Sequence, residues 1–511
     1  MNLDTFMPLP EMIRAHAAAA PEKIALIQDD RRLTYYELDR AMDRVAASLQ
    51  RDGVKPGESV AICAGTSLEY ACVFLGALRA GAAIAPIAPS STPESIAAMV
   101  ADCGAKIFFL DGDIVELLSG CREDADMSGA DRPWVTLDDA DPGLKFGEWL
   151  GEATPTPVAI TPEAPFNIIY SSGTTGAPKG IVQSHGMRFG HIARAASMGY
   201  GDGAVTLLST PLYSNTTLVS FFPTLGLGGT VVLMRKFDAT QYLELAQRHR
   251  ATHTMLVPVQ YSRLMARQDF DAYDLSSFVM KFCTSAPFAA ALKADVLKRW
   301  PGGLIEYFGM TEGGGTCVLV AHAFPDKLHT VGTPAPGHDI RVIDEDGREL
   351  PRGEAGEIVG RSDMMMSGYH NRREQTEAAT WTSPEGLAFI RTGDVGRFDA
   401  DGFLELMDRK KDMIISGGFN IYPSDLEAVL RQHADVADAA VVGAPSAEWG
   451  ETPVAFVVSR GAGAEELRAF ANARLGKTQR LAAVVLIDEL PRSHIGKVLK
   501  RELRDAYVRG V

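Results

Sequence analysis

Residues Tyr170 to Gly180 read Y-S-S-G-T-T-G-A-P-K-G, a run of hydroxyls and glycines closed by one lysine. The run follows the apolar segment Phe166-Asn167-Ile168-Ile169. A strand feeding such a loop turns several backbone N–H groups toward a phosphate. Ser171, Ser172, Thr174 and Thr175 add side-chain donors, and Lys179 adds a positive charge. Gly173 and Gly176 let the loop fold tightly without Cβ clashes. A Walker A loop places Ser or Thr after its lysine to hold Mg2+; here Gly180 follows Lys179, so the loop is of another kind. Further on stands Glu306-Tyr307-Phe308-Gly309-Met310-Thr311-Glu312. It offers an aromatic face on which adenine can stack, a hydroxyl for a phosphate oxygen and a carboxylate for Mg2+. Arg391-Thr392-Gly393-Asp394 comes before Asp408-Arg409-Lys410-Lys411-Asp412. An aspartate accepts both hydroxyls of a ribose, and an arginine bridges ribose and phosphate.

In this order, and with three further segments, these stretches resemble the motifs of the adenylate-forming superfamily, in its acyl-CoA synthetase and aryl-CoA ligase branch. The three are Ser285-Ala286-Pro287, the run Ser416 to Glu427 (S-G-G-F-N-I-Y-P-S-D-L-E), and Pro491-Arg492-Ser493-His494-Ile495-Gly496-Lys497. The resemblance covers nearly the whole chain. It implies ATP, Mg2+ and coenzyme A as cofactors and a small carboxylic acid as substrate. By motif, the Ser171–Lys179 loop holds the β and γ phosphates, and Ser285-Ala286-Pro287 lies against the adenine. Phe308 stacks on the base within the nucleotide-contacting run Glu306, Tyr307, Phe308 and Gly309. Thr311 meets the α-phosphate or the carboxylate, and Glu312 holds magnesium. Asp394 binds ribose with support from Arg409, Lys411 is the hinge, and Gly417 and Gly418 border the pantetheine tunnel. Lys497 is the catalytic lysine that bridges carboxylate and α-phosphate. Ser171 and Asp425 replace the usual Thr and Glu, and both changes keep the chemistry.

The acyl pocket is expected between Pro211 and Thr216, the helix near Val257, and Gly309 to Gly315, with Tyr213, Ser214, Val257, Gly309, Met310, Gly313 and Gly314 as its lining. Ser214 stands where many relatives have His, which leaves a roomier or more polar entrance. The glycines remove side chains from one wall and favour a ring or a medium chain over acetate. No arginine is evidently placed for a second carboxylate. An aromatic, alicyclic or medium-chain monocarboxylate is therefore the expected acid. Three other readings stand beside this one: an adenylation enzyme that loads a carrier protein's phosphopantetheine, a luciferase-like oxygenase, and a noncatalytic nucleotide binder.

These groups need a scaffold. Strands at 59–64, 84–87 and 106–110 alternate with helices at 33–49, 71–80 and 93–102, and a second such round runs from 205 to 284, so βαβ units and parallel sheets are expected. Thr34 and Glu37 form a capping-box pattern, and Thr92 with Pro93 marks another helix start. Residues 111–165 read as polar surface connections. From His329 short strands and Gly/Asp turns suit a small β-barrel. The expected fold is thus α/β: a large N-terminal domain (1–408) of two βαβ-type sheets plus the barrel, and a small mobile α+β C-terminal domain (409–511).

Length alone calls for more than one core, and 46% hydrophobic with 23% charged residues is ordinary for a globular protein. A net charge of -15 disfavours nucleic acid as a partner. The six cysteines are scattered without a C-x-x-C pair, as expected of reduced thiols in the cytoplasm. Met1 to Pro10 carries no signal-peptide pattern, and no apolar run is long enough to span a bilayer. A homodimer is one expected assembly.

Overall fold

The computed structural model describes residues 3–119, 133–141, 143–171, 179–409, 412–416, 419–446, 449–476, 479–492 and 498–510. Two compact units emerge, the first comprising Met1–Leu328, Ala335–Asp339 and Arg361–Ile390.

In the first unit a parallel sheet runs in the order Ile24–Gln28, Thr230–Leu233, Val205–Leu208, His253–Leu256, Met280–Cys283, Gly303–Gly309. The antiparallel strands Arg31–Thr34 and Thr316–Val320 flank it. A second, 8-stranded sheet carries Pro165–Ser171 next to Ala83–Pro86 on one side and the antiparallel Lys179–Ser184 on the other. Gly368–Tyr369 then pairs with Lys179–Ser184. Parallel strands with helices on both faces bury their side chains on both faces, which explains strands such as Ser59–Cys63 that are buried at every position. Helix Leu68–Arg79 is likewise buried along its whole length, so its apolar residues show no amphipathic period. Phe74, Phe166 and Phe222 join it to the neighbouring elements with ring centroids 4.9 to 6.3 Å apart.

The capping box at Thr34 and Glu37 forms as expected, and Thr92 caps Pro93–Asp102. The reading of 111–165 as surface connections is corrected. Trp134–Thr136 is a buried strand of the second sheet, and Trp134 meets Phe108 edge-on at 6.0 Å. Three residues are too few to show a period, so only the tertiary contact reveals the strand. Helices His185–Ala195, Asn215–Gly226 and Ala290–Arg299 also escaped the pattern reading.

The second unit comprises His329–Pro334, Ile340–Gly360 and Arg391–Val511. The expected barrel is an open half-barrel sheet of five strands, Asp339–Ile343, Gly356–Arg361, Thr380–Thr382, Ala388–Phe398 and Leu404–Arg409. Residues Ile340–Gly360 and those from Arg391 onward group with the C-terminal segment, so the division between the units does not fall at 408/409. Ser424 Oγ donates to the carbonyl of Met407, a contact that ties the two segments together. Beyond it, Val436–Ser446 and Gly450–Ser459 pair antiparallel, and Ala483–Leu486 adds in parallel. Glu427 accepts from the Val441 N–H and from Lys500 Nζ, each at 2.9 Å. No helix among the described residues is long and apolar enough to cross a membrane.

Candidate active site

Strand Gly303–Gly309 and its hairpin partner Thr316–Val320 place Phe308 opposite Cys317 and Gly309 opposite Thr316. Successive side chains on a strand point to opposite faces. Tyr307 stacks on Phe282 at 5.8 Å, with its hydroxyl against Met198. Glu306 is buried and forms an ion pair with Lys293 of helix Ala290–Arg299. Glu306 is therefore committed to the core, while Tyr307 is partly buried against Phe282 and Met198.

The strand delivers Thr311 and Glu312 to a loop held from two sides. Gln183 Nε2 donates to the Thr311 carbonyl at 2.7 Å. Gln183 in turn accepts from Asn167 Nδ2 at 2.9 Å, and Asn167 Oδ1 accepts from Arg188 Nε at 3.0 Å. Arg188 also donates to Asn215 Oδ1 at 2.9 Å, at the start of helix Asn215–Gly226. The Arg188 guanidinium is 1% exposed and sits over the rings of Phe166 and Phe222, at 5.8 and 5.3 Å. Burial pulls it down to about 9, so it remains a cation at neutral pH, supported by amide oxygens and aromatic faces. This network positions the Thr311 loop; Gln183 and Arg188 do not stand out in the sequence, and Asn167 reads only as part of an apolar segment.

Glu312 Oε1 accepts from the Tyr369 hydroxyl at 2.9 Å, and Lys179 Nζ stands 5.3 Å from the centre of the same ring. The lysine of the hydroxyl-rich loop and the candidate metal carboxylate thus share one tyrosine. Burial and the nearby Glu312 push the Tyr369 phenol up, so it stays a donor. A hard carboxylate that shares a tyrosine with a lysine expected to hold phosphate fits a magnesium ion carried by phosphates. Bound there, Mg2+ would neutralise phosphate charge. Loss of a charge-assisted hydrogen bond is worth roughly 1.5–3 kcal/mol. Tyr369→Phe should therefore raise the Mg2+ concentration for half-maximal AMP release roughly tenfold. An unchanged Mg2+ titration would mean that Tyr369 does not orient Glu312.

Ser285 adopts φ 82°, a left-handed conformation that is uncommon outside glycine. Its hydroxyl pairs with Thr216 Oγ1 at 2.6 Å, which locks the Ser285-Ala286-Pro287 turn to helix Asn215–Gly226. Tyr213 and Ser214 precede that helix. Val257 is 2% exposed and offers little surface to a ligand, whereas Met310 is half-buried. Gly313 answers to packing rather than to pocket volume. Its φ is 73°, and a Cβ there would lie 2.0 Å from the Met364 carbonyl oxygen. The space it vacates is filled by Met364, and Gly314 beside it is buried.

In the second unit Asp394 lies on Ala388–Phe398, its N–H donating to Thr392 Oγ1 at 3.0 Å, with its backbone opposite Arg409. Arg391 pairs with Glu357 at 2.6 Å. The side chains of Ser171 and Arg409 lie outside the described residues, as do Ser172, Gly173, Thr174, Thr175, Gly176, Lys411, Gly417, Gly418 and Lys497.

Residues 13–370 match the family described as AMP-binding enzyme, and residues 425–497 match the AMP-binding enzyme C-terminal domain. An indoleacetate–CoA ligase of Aromatoleum aromaticum is 32% identical, over 98% of this chain and 99% of its own. A fatty acid–[acyl-carrier-protein] ligase of Streptomyces coeruleorubidus is 31% identical, over 96% and 95%. The crystal structure of ATP-bound MatB from Rhodopseudomonas palustris superposes with a TM-score of 0.87 at 28% identity, over 98% of this chain and 99% of that one.

Proposed function

The chain belongs to the AMP-binding, adenylate-forming enzymes, in their acyl-CoA ligase branch, and from that premise we propose that it activates an aromatic, alicyclic or medium-chain carboxylic acid. As an acid–thiol ligase it uses ATP, Mg2+ and coenzyme A. The acid's carboxylate oxygen attacks the α-phosphorus of ATP in line, and the bond to pyrophosphate breaks. The resulting acyl-AMP anhydride then has AMP as a good leaving group. The sulfur of coenzyme A attacks the acyl carbonyl, AMP departs, and the thiol proton passes to solvent. The first step needs positioning and charge neutralisation more than proton transfer. In this reading Lys179 and the hydroxyl loop hold the outer phosphates, Phe308 supports adenine, Asp394 and Arg409 hold the ribose, and Thr311 meets the reacting groups.

The observation that carries the reading is the Lys179–Tyr369–Glu312 arrangement beside Thr311. The ring-or-chain preference draws support from a relative named for indoleacetate and one named for fatty acids. The cytoplasm, which supplies ATP and coenzyme A, is the proposed location. A panel of carboxylic acids assayed for AMP release with and without coenzyme A tests the proposal. Acid-dependent AMP release that requires coenzyme A for turnover supports it, and no AMP with any acid overturns it. Because one relative is named for a carrier protein, thioester formation only on a phosphopantetheinyl carrier would favour that second reading.

Lys497 and the Gly417-Gly418 loop are assigned to different half-reactions, so the C-terminal segment is proposed to turn about Lys411 between them. Lys411→Pro, which fixes φ, should spare pyrophosphate release and slow thioester formation. Equal losses in both half-reactions would count against the hinge.

A further inference from the structure

Helix Pro93–Asp102 ends on a carboxylate, and its last turn holds no basic residue. A negative charge there opposes the helix dipole. The compensation comes from far along the chain. Arg372 Nη2 donates to Asp102 Oδ1 at 2.8 Å, and the Tyr170 hydroxyl donates to Oδ2 at 2.8 Å. Burial, with Cys103 and Asp102 adding to it, pushes the Tyr170 phenol up, so it stays a donor. The Asp102 side chain is 15% exposed, which spares the pair the full screening of a surface ion pair.

The two donors are joined a second time, at Gly180. Tyr170 stands opposite Gly180 where Pro165–Ser171 pairs with Lys179–Ser184. A Cβ at Gly180 would lie 3.2 Å from Cε1 and Cζ of the Tyr170 ring, so the ring lies across the glycine. The Gly180 carbonyl accepts the His370 N–H at 2.7 Å. Asn371 then turns the chain at a left-handed φ of 51°, which asparagine tolerates, and Arg372 reaches Asp102. The contacts close a circuit that runs Asp102, Tyr170, Gly180, His370, Arg372 and back to Asp102.

Two members of the candidate site are chain neighbours of this circuit, Lys179 beside Gly180 and Tyr369 beside His370. The lysine 5.3 Å from the Tyr369 ring and the tyrosine that donates to Glu312 thus belong to one frame. We propose that Asp102 is a positioning residue for the Mg·ATP end of the site. Through Tyr170 and Arg372 it holds Lys179 and the Tyr369–Glu312 pair in register. This deepens the ligase reading and rests on it.

The test compares Asp102→Asn, Arg372→Met and Arg372→Lys with the wild type. The Arg372 side chain is 39% exposed, so its replacement leaves the core intact. Asp102→Asn and Arg372→Met should raise the KM for Mg·ATP about 3- to 10-fold, the net worth of one hydrogen bond, and the KM for the acid far less. Arg372→Lys should recover part of the loss. Because Asp102 acts through Tyr369, adding Asp102→Asn to Tyr369→Phe should raise the KM for Mg·ATP by much less than it does alone. An unchanged KM for Mg·ATP overturns the proposal, whatever happens to the melting temperature. So does an equal rise for ATP and acid, or full additivity with Tyr369→Phe. If no acid releases AMP, the ligase reading fails, and calorimetric titration of a nonhydrolysable ATP analogue with Mg2+ onto the protein alone decides the positioning role. Weaker binding in both Asp102→Asn and Arg372→Met upholds it. Unchanged binding, or none to the wild type, overturns it.

Discussion

Lys497→Ala should reduce acid-dependent pyrophosphate release on the order of 100- to 1,000-fold, the scale of removing one preorganised donor from a site of developing charge. By the resemblance of Pro491 to Lys497 to the family motif, this lysine is proposed to bridge the carboxylate and the α-phosphate. Both groups are anions in the ground state, and they must come within bonding distance for the attack to begin. A single ammonium between them removes their repulsion at the moment it is greatest. Thioester formation starts instead from a neutral anhydride carbonyl and a thiol, so it makes no such demand. The variant supplied with acyl-adenylate should therefore form thioester at close to the wild-type rate. Normal pyrophosphate release by Lys497→Ala would remove Lys497 from the adenylation step. An equal loss in both half-reactions would indicate general damage to the C-terminal unit.

The second large effect lies in the core. Lys293→Met should cost about 3–5 kcal/mol, because it strands a charge that was buried in company. Lys293 and Glu306 are both almost wholly buried, and the ammonium also donates to the Leu328 carbonyl at 2.8 Å. Replacing both partners, in Lys293→Met with Glu306→Leu, should recover most of that stability, since an apolar pair of similar volume carries no desolvation penalty. Burial, opposed by Lys293, pushes the Glu306 carboxyl up to about 7 from its ordinary 4.5. The folded state therefore holds the Glu306 proton more tightly than the unfolded chain does. The group's effect on stability is favourable below this window and is lost as pH rises from about 4.5 to 7. Without Lys293 the carboxyl escapes its penalty by protonating, so the melting-temperature loss should be largest at neutral and alkaline pH and shrink toward pH 5. A loss independent of pH, or a double variant as unstable as the single one, would show that the pair is not what holds this strand to its helix.

Glu306 also shows where sequence reading of the site stops. The run Glu306 to Glu312 announces a nucleotide and a metal by its residue types, and Thr311 and Glu312 do stand at a common loop with Lys179 close by. Whether each member of the run faces a ligand or the core depends on strand alternation and on what packs behind. That information sits in Lys293 and in Phe282, which are 13 and 25 positions away from Glu306 and Tyr307. Similarly, Gly313 reads as an opened wall. The carbonyl that fills the opening belongs to Met364, more than 50 residues downstream.

By itself the sequence determined the chemistry and most of the regular elements. Local patterns carry both: hydroxyls and glycines in one loop, a cap at Thr34, and a proline after Thr92. Such signals act over a few residues and survive without knowledge of the fold. The tertiary structure decided the rest, because it depends on contacts between distant segments. It made Trp134–Thr136 a buried strand, gave Glu312 its hydroxyl from Tyr369, and tied Thr311 through Gln183 and Asn167 to the buried Arg188. It also set Arg372 against Asp102 across 270 residues of chain. A residue's type fixes what it can bond, but burial and a partner brought from afar determine which bond it makes.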